Sequence, residues 1–264
     1  MSNIFDNSIK GKVVLITGAS GYIGRNTAHA LSNYGANLIL VDTNQKKLKD
    51  LKISIESNNS SVDIICKDLT KKGSIELIKK MIEKKYKKLD ILINSIGFVG
   101  TSKMKGWNTN FKNQSKPAWD CSIETNMTSI FFLIQALHVL MKKPKSASIV
   151  NISSMYGEYA PDKNIYKGTK INNPAAYSVA KAGLNHMTKW LAVELGPKIR
   201  VNAISPGGLF RNQDKMFVKK YAEKTLLKRM ATEDDIIGPI IFFASDMSKY
   251  ITGQNLIVDG GWGT

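Results

Sequence analysis

Two residues with complementary chemistry, Tyr177 and Lys181, stand four positions apart in the sequence Tyr-Ser-Val-Ala-Lys. The apolar spacing that continues through Val193 predicts a helix, on which residues four apart share a face. A free tyrosine has a pKa of about 10, so acid/base work at neutral pH needs a decrease of roughly three units, about 4 kcal/mol. An ammonium about 4 Å away supplies about that energy at an effective dielectric constant of about 20. The spacing therefore predicts a proton-transferring tyrosine, although these five residues alone leave a chance pairing open.

A glycine-rich turn near the N-terminus lies between two apolar runs, residues 12–16 and 37–41, which predict buried parallel strands. The helix between them, reaching to about residue 35, opens on Gly18, Gly21 and Gly24. Glycines let the backbone turn tightly and approach a pyrophosphate, and the helix N-terminus then faces the negative charge. Asp42 ends the second strand, where a carboxylate can accept hydrogen bonds from both ribose hydroxyls of an adenosine. A 2′-phosphate there would meet like charge, so NAD is favoured over NADP.

Further apolar runs alternate with helical patterns along the chain. The predicted strands are 62–66, 89–93, 147–154, 198–204 and 255–258. The predicted helices include 74–85, 119–141, the helix of Tyr177 and one that begins near Asp234. This alternation predicts an α/β fold, a doubly wound parallel sheet in a three-layer αβα arrangement, forming one Rossmann-type domain over residues 1–264. Ligands of such sheets bind beyond the carboxyl ends of the strands, where the candidate residues lie.

Three segments lack this periodicity, at about 98–118, 155–176 and 207–229, and are expected to be substrate loops. A long aperiodic stretch inside a compact domain is either a functional loop or disordered, and the order of the first two segments stays open. Trp107, Phe111 and Trp119 argue for at least partial packing of the first segment.

Composition and charge exclude several classes of protein. The net charge of +17 comes from 38 Lys and Arg against 21 Asp and Glu, with acids interspersed on amphipathic stretches such as 79–88. This mixture favours a solvated surface and makes a nucleic-acid partner unexpected. Histidines and cysteines have no metal-ligand spacing, so no metal is expected. Cys66 and Cys121 make no disulfide framework and indicate a reducing, cytoplasmic compartment. Residues 1–12 lack a signal-peptide core and no run is long enough to span a membrane, so no membrane partner is expected.

In combination, the motifs from residue 12 to 261 resemble those of the short-chain dehydrogenase/reductase family, in its compact single-domain branch. The matching residues are Thr17-Gly18-Ala19-Ser20-Gly21-Tyr22-Ile23-Gly24, Asp68-Leu69, Asn94-Ser95-Ile96-Gly97, Asn126, Ser154, Tyr177 with Lys181, Pro206-Gly207, Thr252-Gly253-Gln254 and Asp259-Gly260-Gly261. The resemblance implies a homo-oligomer, a tetramer or dimer, whose interface could come from the helices 119–141 and 177–195.

The resemblance also implies a role for each catalytic residue. Tyr177 would exchange a proton with the alcohol or ketone oxygen, and Lys181 would lower its pKa and hold the nicotinamide ribose. Ser154 would orient the substrate oxygen, and Asn126 would hold a water that links Lys181 to solvent. Ser154 is preferred over Ser153 because it begins a Ser-x-x-Gly pattern, and strand parity sends the two side chains to opposite faces. The implied cofactor contacts are Gly18, Ser20, Gly21, Tyr22, Ile23, Gly24, Asp42, Asp68, Leu69, Asn94, Ser95, Ile96, Gly97, Tyr177, Lys181, Pro206, Gly207 and Leu209.

Three features depart from the family pattern. Tyr22 stands where the second family glycine is expected, a spacing more like the extended branch, which includes sugar epimerases and dehydratases. The gap from Ser154 to Tyr177 is longer than usual. Arg211 stands where the family often has threonine, which puts one contact to the cofactor carboxamide in doubt.

The inserted segment resembles bacterial members linked to surface-glycan and flagellin sugar modification, through Tyr156-Gly157, Ala160-Pro161, Ile165-Tyr166 and Gly168-Thr169. The expected function is an NAD(H)-dependent oxidoreductase that interconverts a secondary alcohol and a ketone on a small-molecule substrate, a polar or anionic sugar type. An anionic substrate is suggested by the cations Lys103, Lys105, Lys163, Lys167, Lys170 and Arg211 around the expected mouth, although these could be solvated loop residues. The alternatives are a nucleotide-sugar epimerase or dehydratase with recycled NAD, and a non-catalytic cofactor-binding or basic scaffold protein.

Overall fold

A parallel β-sheet forms the centre of the computed structural model, which describes residues 8–56, 61–99, 104–169 and 171–264. The strands are β1 (Val13–Thr17), β2 (Asn37–Asp42), β3 (Val62–Cys66), β4 (Ile91–Asn94), β5 (Ala147–Ile152), β6 (Ile199–Pro206) and β7 (Asn255–Val258). Within the described residues they form one seven-stranded sheet in the order β3-β2-β1-β4-β5-β6-β7, and every neighbouring pair is parallel. The order reverses between β1 and β4, which places the ligand crevice beyond the carboxyl ends of these two strands.

Helices cover both faces of this sheet. They are α1 (Tyr22–Asn33), α2 (Gln45–Glu56), α3 (Ser74–Lys85), α4 (Lys116–Ile123), α5 (Ser129–Met141), α6 (Lys163–Tyr166), α7 (Ala175–Leu195), α8 (Lys215–Lys224) and α9 (Asp234–Ala244). One helical layer contains α3, α5 and α7, and the other contains α1, α2 and α9. The predicted fold class, a single doubly wound domain in three layers, is confirmed.

Alternate residues of each strand enter separate cores on the two faces of the sheet. In β1, Leu15 packs against the layer of α3, α5 and α7, while Ile16 packs against the layer of α1, α2 and α9. Both side chains are fully buried. A strand buried on both faces is mostly apolar, which is why continuous apolar runs predicted these strands.

Two helices were missed because lysines obscure their apolar spacing. Helix α2 buries Leu48, Leu51 and Ile55 among charged neighbours. Helix α8 buries Phe217 and Tyr221, four residues apart, within a segment that the sequence identified only as polar and lysine-bearing. In each helix the buried apolar residues do follow an i, i+3 or i, i+4 spacing, but only over a few turns.

Helices α4 and α5 join through a π-helical segment, Glu124–Thr128, into one helix of 26 residues. Contrary to the sequence-based expectation, this helix is long and apolar enough to cross a membrane by length and composition alone. Core helices of soluble proteins have the same length and apolar composition. Ile130, Leu133 and Leu137 are fully buried against the sheet, so the helix is explained as a core element.

A chain of buried polar side chains links the centre of the sheet to α7. Asn94 of β4 donates through Nδ2 to Asn151 Oδ1 of β5 at 2.9 Å, and Asn151 Nδ2 donates to Thr188 Oγ1 of α7, also at 2.9 Å. All three residues are fully buried. Because buried polar groups are stabilising only when they are paired, this chain fixes α7 against β4 and β5.

Asn151→Ala should lower the free energy of unfolding by about 2–3 kcal/mol, because it leaves the Asn94 amide group buried without its partner and opens a cavity beside Thr188, whose hydroxyl keeps its bond to the Leu184 carbonyl oxygen. Urea denaturation followed by circular dichroism measures the change. Gln135→Ala, which removes an exposed amide from α5, is the control and should leave the midpoint close to that of the wild type. Equal midpoints for Asn151→Ala and the wild type would contradict the role of the chain.

Candidate active site

The turn between β1 and α1 is built by close backbone contacts. Gly18 has φ +65°, and a Cβ at this position would lie 2.8 Å from both N and Cα of Ile96. A Cβ at Gly24 would overlap the carbonyl oxygen of Gly18. Gly21 precedes α1 without a side-chain cap, so the first amides of the helix stay available at the cleft. This turn fits a diphosphate, since backbone amides and a helix N-terminus face the position that it would take.

The end of β2 supplies the carboxylate that the sequence predicted for an adenosine ribose. Asp42 accepts hydrogen bonds from the backbone N–H of Ser20 at 3.0 Å and of Asn44 at 3.1 Å. It lines a cleft of about 780 Å³ together with Gly18 and Gly21. The bond to Ser20 N ties the carboxylate to the glycine turn, so the ribose and diphosphate positions are held in fixed relation.

The opposite wall of this cleft comes from the loops after β3 and β4. Asp68 and Leu69 line it, and Asp68 is oriented by accepting bonds from the N–H and hydroxyl of Thr70 at 2.9 and 2.8 Å. Ser95, Ile96 and Gly97 line both this cleft and a second section of about 330 Å³. That second section continues along Tyr22, Ile23, Pro206, Gly207 and Leu209 to the catalytic candidates.

Asn94 and Gly24 lie behind this surface. The sequence predicted that Asn94 contacts the cofactor, and this prediction needs correction. The Asn94 side chain is fully buried in the sheet and bonded to Asn151. Its place on a strand, before the chain turns into the loop, directs the amide into the interior. Gly24 and Ser20 shape the turn through backbone contacts. Gly24 packs under Gly18, and the N–H of Ser20 donates to the Asp42 carboxylate.

Ser154, Tyr177 and Lys181 meet at the carboxyl end of β5. The Ser154 side chain is hydrogen-bonded to the Tyr177 hydroxyl. Ser154 Oγ also accepts from the N–H of Tyr156 at 3.2 Å, which orients the serine. Lys181 Nζ donates to the carbonyl oxygen of Ile152 at 2.9 Å and lies 5.8 Å from the centre of the Tyr177 ring. The three side chains thus converge on the second section of the cleft.

The electrostatics of this group differ from the sequence-based expectation. Burial raises the pKa of the Tyr177 hydroxyl above its ordinary value, and the hydrogen bond with Ser154 opposes this only in part. Burial lowers the pKa of Lys181 to about 8. The expected net lowering of the Tyr177 pKa is therefore wrong, because burial of the hydroxyl outweighs the interactions that favour its charged form. Sequence spacing identified the shared helix face but not the desolvation of both groups.

Ser153 and Gly157 explain why the Ser-x-x-Gly pattern selects Ser154. Ser153 Oγ turns the other way and donates to the carbonyl oxygen of Lys181 at 3.1 Å. A Cβ at Gly157 would lie 2.8 Å from the Lys181 carbonyl carbon and oxygen. Glycine at this position lets the turn after β5 pack directly on the backbone of α7, which keeps Ser154 within reach of Tyr177.

Asn126 sits in the π-helical segment with its side chain fully engaged by neighbouring protein groups. Its Oδ1 accepts from the N–H of Phe98 at 3.0 Å, and its Nδ2 donates to the Phe98 carbonyl oxygen at 3.1 Å and to Ser122 Oγ at 3.2 Å. Both amide hydrogens are thereby used. The side chain thus holds the loop after β4 in place, and the predicted contact to a water would need its remaining acceptor site or its backbone.

A third cavity, of about 260 Å³, adjoins the catalytic group and shares Ser154 and Tyr177 with the cleft. Its wall carries no charged side chain and combines aliphatic residues, such as Met155, Ile171 and Met230, with phenols and amides. The phenols and amides come from Tyr156, Tyr166, Tyr221, Asn172, Asn173 and Gln213. Burial raises the pKa of Tyr156, Tyr166 and Tyr221, so these phenols stay protonated at neutral pH. The sequence placed two of these tyrosines in the inserted segment without assigning them to a site. It did not single out Tyr221 and Gln213 within the expected substrate loop 207–229, and the signal for Tyr221 was the amphipathic spacing of α8.

Contacts behind this wall join the inserted segment to the rest of the chain. The hydroxyls of Tyr156 and Tyr166 form a hydrogen bond, and the ring of Tyr221 packs on Trp262 at 4.5 Å between centroids. Trp107 is buried as expected, but Phe111 is 87% exposed and Trp119 is 41% exposed. The aromatic residues of segment 98–118 are therefore only partly packed, and Trp107 is the one that anchors it among the described residues.

The expected ring of cations is largely missing from these cavities. Lys105, Lys163 and Lys167 are exposed and lie outside the walls of the three cavities, while Lys103 and Lys170 fall outside the described residues. Arg211 lines the second section of the cleft. The lysine part of the prediction is therefore corrected for the described residues, since these flexible side chains extend into solvent.

The doubly wound sheet, the glycine turn after β1 and the carboxylate ending β2 define a dinucleotide-binding protein. A family model described as Enoyl-(Acyl carrier protein) reductase matches residues 18–263. The chain belongs to the short-chain dehydrogenase/reductase family, whose members are oxidoreductases that act on CH–OH groups. Among the described residues, no group of three or more His, Cys, Asp or Glu side chains could hold a metal ion.

Individual relatives match the chain over nearly its whole length. It is 33% identical over 258 residues to post-translational flagellin modification protein A of Campylobacter coli, covering 97% of this chain and 99% of that protein. It is 32% identical over 263 residues to the NAD-dependent glycerol dehydrogenase of Listeria innocua, covering 97% and 96%. A crystal structure of a short chain dehydrogenase from Leptospira borgpetersenii with bound NAD⁺ matches with a TM-score of 0.87 and 35% identity, covering 100% of this chain and 97% of that chain. The predicted resemblances are confirmed.

The Lys181 side chain should be a cation at neutral pH and lose its proton as the pH rises through about 8, because burial lowers its pKa. NMR of protein labelled with ¹³C at lysine Cε measures this titration directly. We expect one resonance that titrates about two units below an ordinary lysine, for which the pKa is about 10.4. This resonance should vanish in Lys181→Met and persist in the control Lys249→Met, which changes an exposed residue. A spectrum in which every lysine titrates above pH 10 would contradict the burial argument.

Proposed function

We propose that this protein is an NAD(H)-dependent oxidoreductase that interconverts a secondary alcohol and a ketone on a hydroxylated, sugar-type substrate. The observation that carries the proposal is the hydrogen-bonded pair of Ser154 and Tyr177 with Lys181 buried beside it. This group lies where the cleft of the glycine turn meets the aromatic cavity. A proton donor is thus placed between a cofactor position and a substrate position.

NAD is favoured over NADP by the end of β2. Asp42 has backbone partners on both carboxylate oxygens and faces the cleft, so it would accept bonds from ribose hydroxyls and repel a 2′-phosphate. The Leptospira relative holds NAD⁺ and the Listeria relative is named for NAD, which supports the same choice.

In reduction, the substrate oxygen would lie between the hydroxyls of Ser154 and Tyr177. The Tyr156 N–H occupies an acceptor site on Ser154 Oγ, and the serine O–H, which bonds the Tyr177 hydroxyl when no substrate is present, would donate to the substrate oxygen instead. Bound NADH supplies a hydride to the carbonyl carbon. Tyr177 gives its proton to the oxygen, and its raised pKa keeps this proton in place until negative charge develops on the substrate. In oxidation, Tyr177 would act as the base and take the proton from the substrate hydroxyl.

The charge of Lys181 would stabilise the tyrosinate that remains after proton transfer. The ammonium is bonded to Ile152 O at 2.9 Å and is 3% exposed, so water screens it little. Its remaining hydrogens are suited to bond the hydroxyls of a nicotinamide ribose. Asn126 would act indirectly, because its side chain holds the Phe98 backbone beside the same cleft.

A sugar-type substrate fits the chemistry of the 260 Å³ cavity. Tyrosine faces pack against the C–H faces of a sugar ring, while phenols and amides bond its hydroxyls. The flagellin modification relative supports a glycan-related role, and the glycerol dehydrogenase relative supports a small polyol. An anionic substituent stays a prediction, supported within the described residues by Arg211 at the cleft.

A screen of neutral sugars, sugar phosphates and sugar nucleotides with NADH or NAD⁺, read by absorbance at the nicotinamide band, tests the function. Tyr177→Phe should reduce kcat on any substrate found by about 10²–10⁴-fold, since general acid catalysis is lost, while NADH binding is retained. Tyr250→Phe is the control, because Tyr250 is fully exposed, and should leave kcat unchanged.

Several outcomes would contradict parts of this proposal. Undiminished turnover by Tyr177→Phe would overturn the proton-transfer role. Conversion of a nucleotide sugar without net production or loss of NADH would favour the epimerase or dehydratase alternative. Equal turnover of neutral and phosphorylated sugars would discard the anionic preference, whereas activity on phosphorylated sugars that falls steeply with salt would support it.

We also propose that the protein assembles as a homo-oligomer through α5 and α7. These helices pack side by side, with Phe131 and Trp190 at 6.4 Å between ring centroids. Their outer surfaces expose Phe132, Val139, Val179, Trp190 and Val193, the last at 86%. Several exposed apolar side chains on two helices of the same layer favour a face that another subunit covers.

Val193→Glu should shift the protein to a smaller species in size-exclusion chromatography with light scattering, because a charge would be buried at the interface. Ile53→Glu on α2 is the matched control, since Ile53 is 69% exposed in the other helical layer. A monomeric wild type, or an unchanged mass for Val193→Glu, would rule out this interface.

A cytoplasmic location is proposed from the free cysteines Cys66 and Cys121, which suit a reducing compartment. Cell fractionation followed by immunodetection tests it, and recovery in a secreted or membrane fraction would contradict it.

A further inference from the structure

Two departures from the family pattern, Tyr22 and Arg211, contact each other across the dinucleotide cleft. The guanidinium carbon of Arg211 lies 4.1 Å from the centre of the Tyr22 ring. Tyr22 is the first residue of α1, and Arg211 lies in the loop after β6, so the contact joins the two halves of the sheet. Neither position predicts the other from sequence, yet together they form a cation–π pair.

The guanidinium is held by further contacts within its own half of the protein. Arg211 Nη2 forms an ion pair with Glu233 Oε1 at 2.7 Å, and Nη1 donates to the Phe210 carbonyl oxygen at 2.7 Å. The side chains of Arg211 and Glu233 are only 23% and 19% exposed, so the pair is partly screened from water. Glu233 directly precedes α9, and it thereby anchors the arginine to a rigid helix.

The contact lies beside the path that a dinucleotide would take through the cleft. Tyr22 and Arg211 both line the 330 Å³ section of the cleft, which runs from the glycine turn to Ser154, Tyr177 and Lys181. A dinucleotide that spans from the Asp42 ribose site to Tyr177 has to pass this section. The cation would also face the diphosphate position at the glycine turn.

We propose that Tyr22, Arg211 and Glu233 form a clasp that closes over the bound dinucleotide and has to open for its release. The proposal rests on the proposed function, since it takes NAD(H) as the ligand of the cleft. The clasp slows dissociation of the cofactor, because Arg211 must leave the Tyr22 ring before the two sides of the cleft separate. Chemistry at Tyr177 does not require the contact.

Stopped-flow displacement of NADH by excess NAD⁺, followed by NADH fluorescence, measures the dissociation rate without any substrate. Tyr22→Leu and Arg211→Thr should each raise this rate by about 3- to 30-fold, the range expected for loss of a partly buried cation–π contact. The double variant should release NADH no faster than the faster single variant, because either change already removes the same contact. Tyr22→Phe keeps the ring and should retain the wild-type rate.

Arg229→Thr is the matched control. Arg229 forms an ion pair with Asp235 at the same end of α9, at 2.6 Å, but it does not line the cleft. Its rate should equal that of the wild type, and thermal unfolding checks that every variant is folded. Tyr22 is 58% exposed at the start of a helix, so Tyr22→Leu provides a test even where Arg211→Thr lowers stability.

Wild-type release rates in both Tyr22→Leu and Arg211→Thr would overturn the clasp while leaving the proposed function intact. Multiplicative effects in the double variant would also overturn it, because the residues would then act independently. Failure of the folded wild-type protein to bind NADH at all would overturn the proposed function itself, and the clasp with it.

Discussion

The bond between the Lys181 ammonium and the Ile152 carbonyl oxygen, at 2.9 Å, is the contact on which the catalytic geometry depends. An ammonium that is 3% exposed needs a strong partner, and the end of β5 provides one. This bond ties α7 to the last residue of β5, two residues before Ser154, and so helps to hold the serine near Tyr177. The hydrogen bonds among the buried side chains of Asn94, Asn151 and Thr188 also hold α7 against β4 and β5.

The sheet and the dinucleotide cleft were predictable because their determinants are local in sequence. A strand buried on both faces is largely apolar, as residues 13–16 are, and the positive φ of the turn at Gly18 favours glycine. The position of Ser154 followed from strand parity and from the glycine three residues later. Such constraints act on neighbouring residues, so a single sequence reveals them.

The substrate side was not predictable, because residues distant in sequence build it. The N–H of Asn172 donates to Asn108 Oδ1 at 2.8 Å, and that of Ala175 donates to Gln114 Oε1 at 3.0 Å, which binds two loops to each other. The raised pKa of Tyr177 and the inward direction of Asn94 likewise depend on burial in the complete fold. Spacing along one helix or strand carries no information about either.

Trp262 shows how selectivity could change without disturbing proton transfer. It packs at 4.5 Å behind Tyr221, and Tyr221 in turn faces the aromatic cavity next to Ser154. A different side chain at position 262 would tilt the Tyr221 ring and reshape the aromatic cavity. Ser154, just after β5, and Tyr177, on α7, would keep their positions. Relatives that catalyse the same chemical step can therefore accept different substrates because of residues that do not contact the substrate.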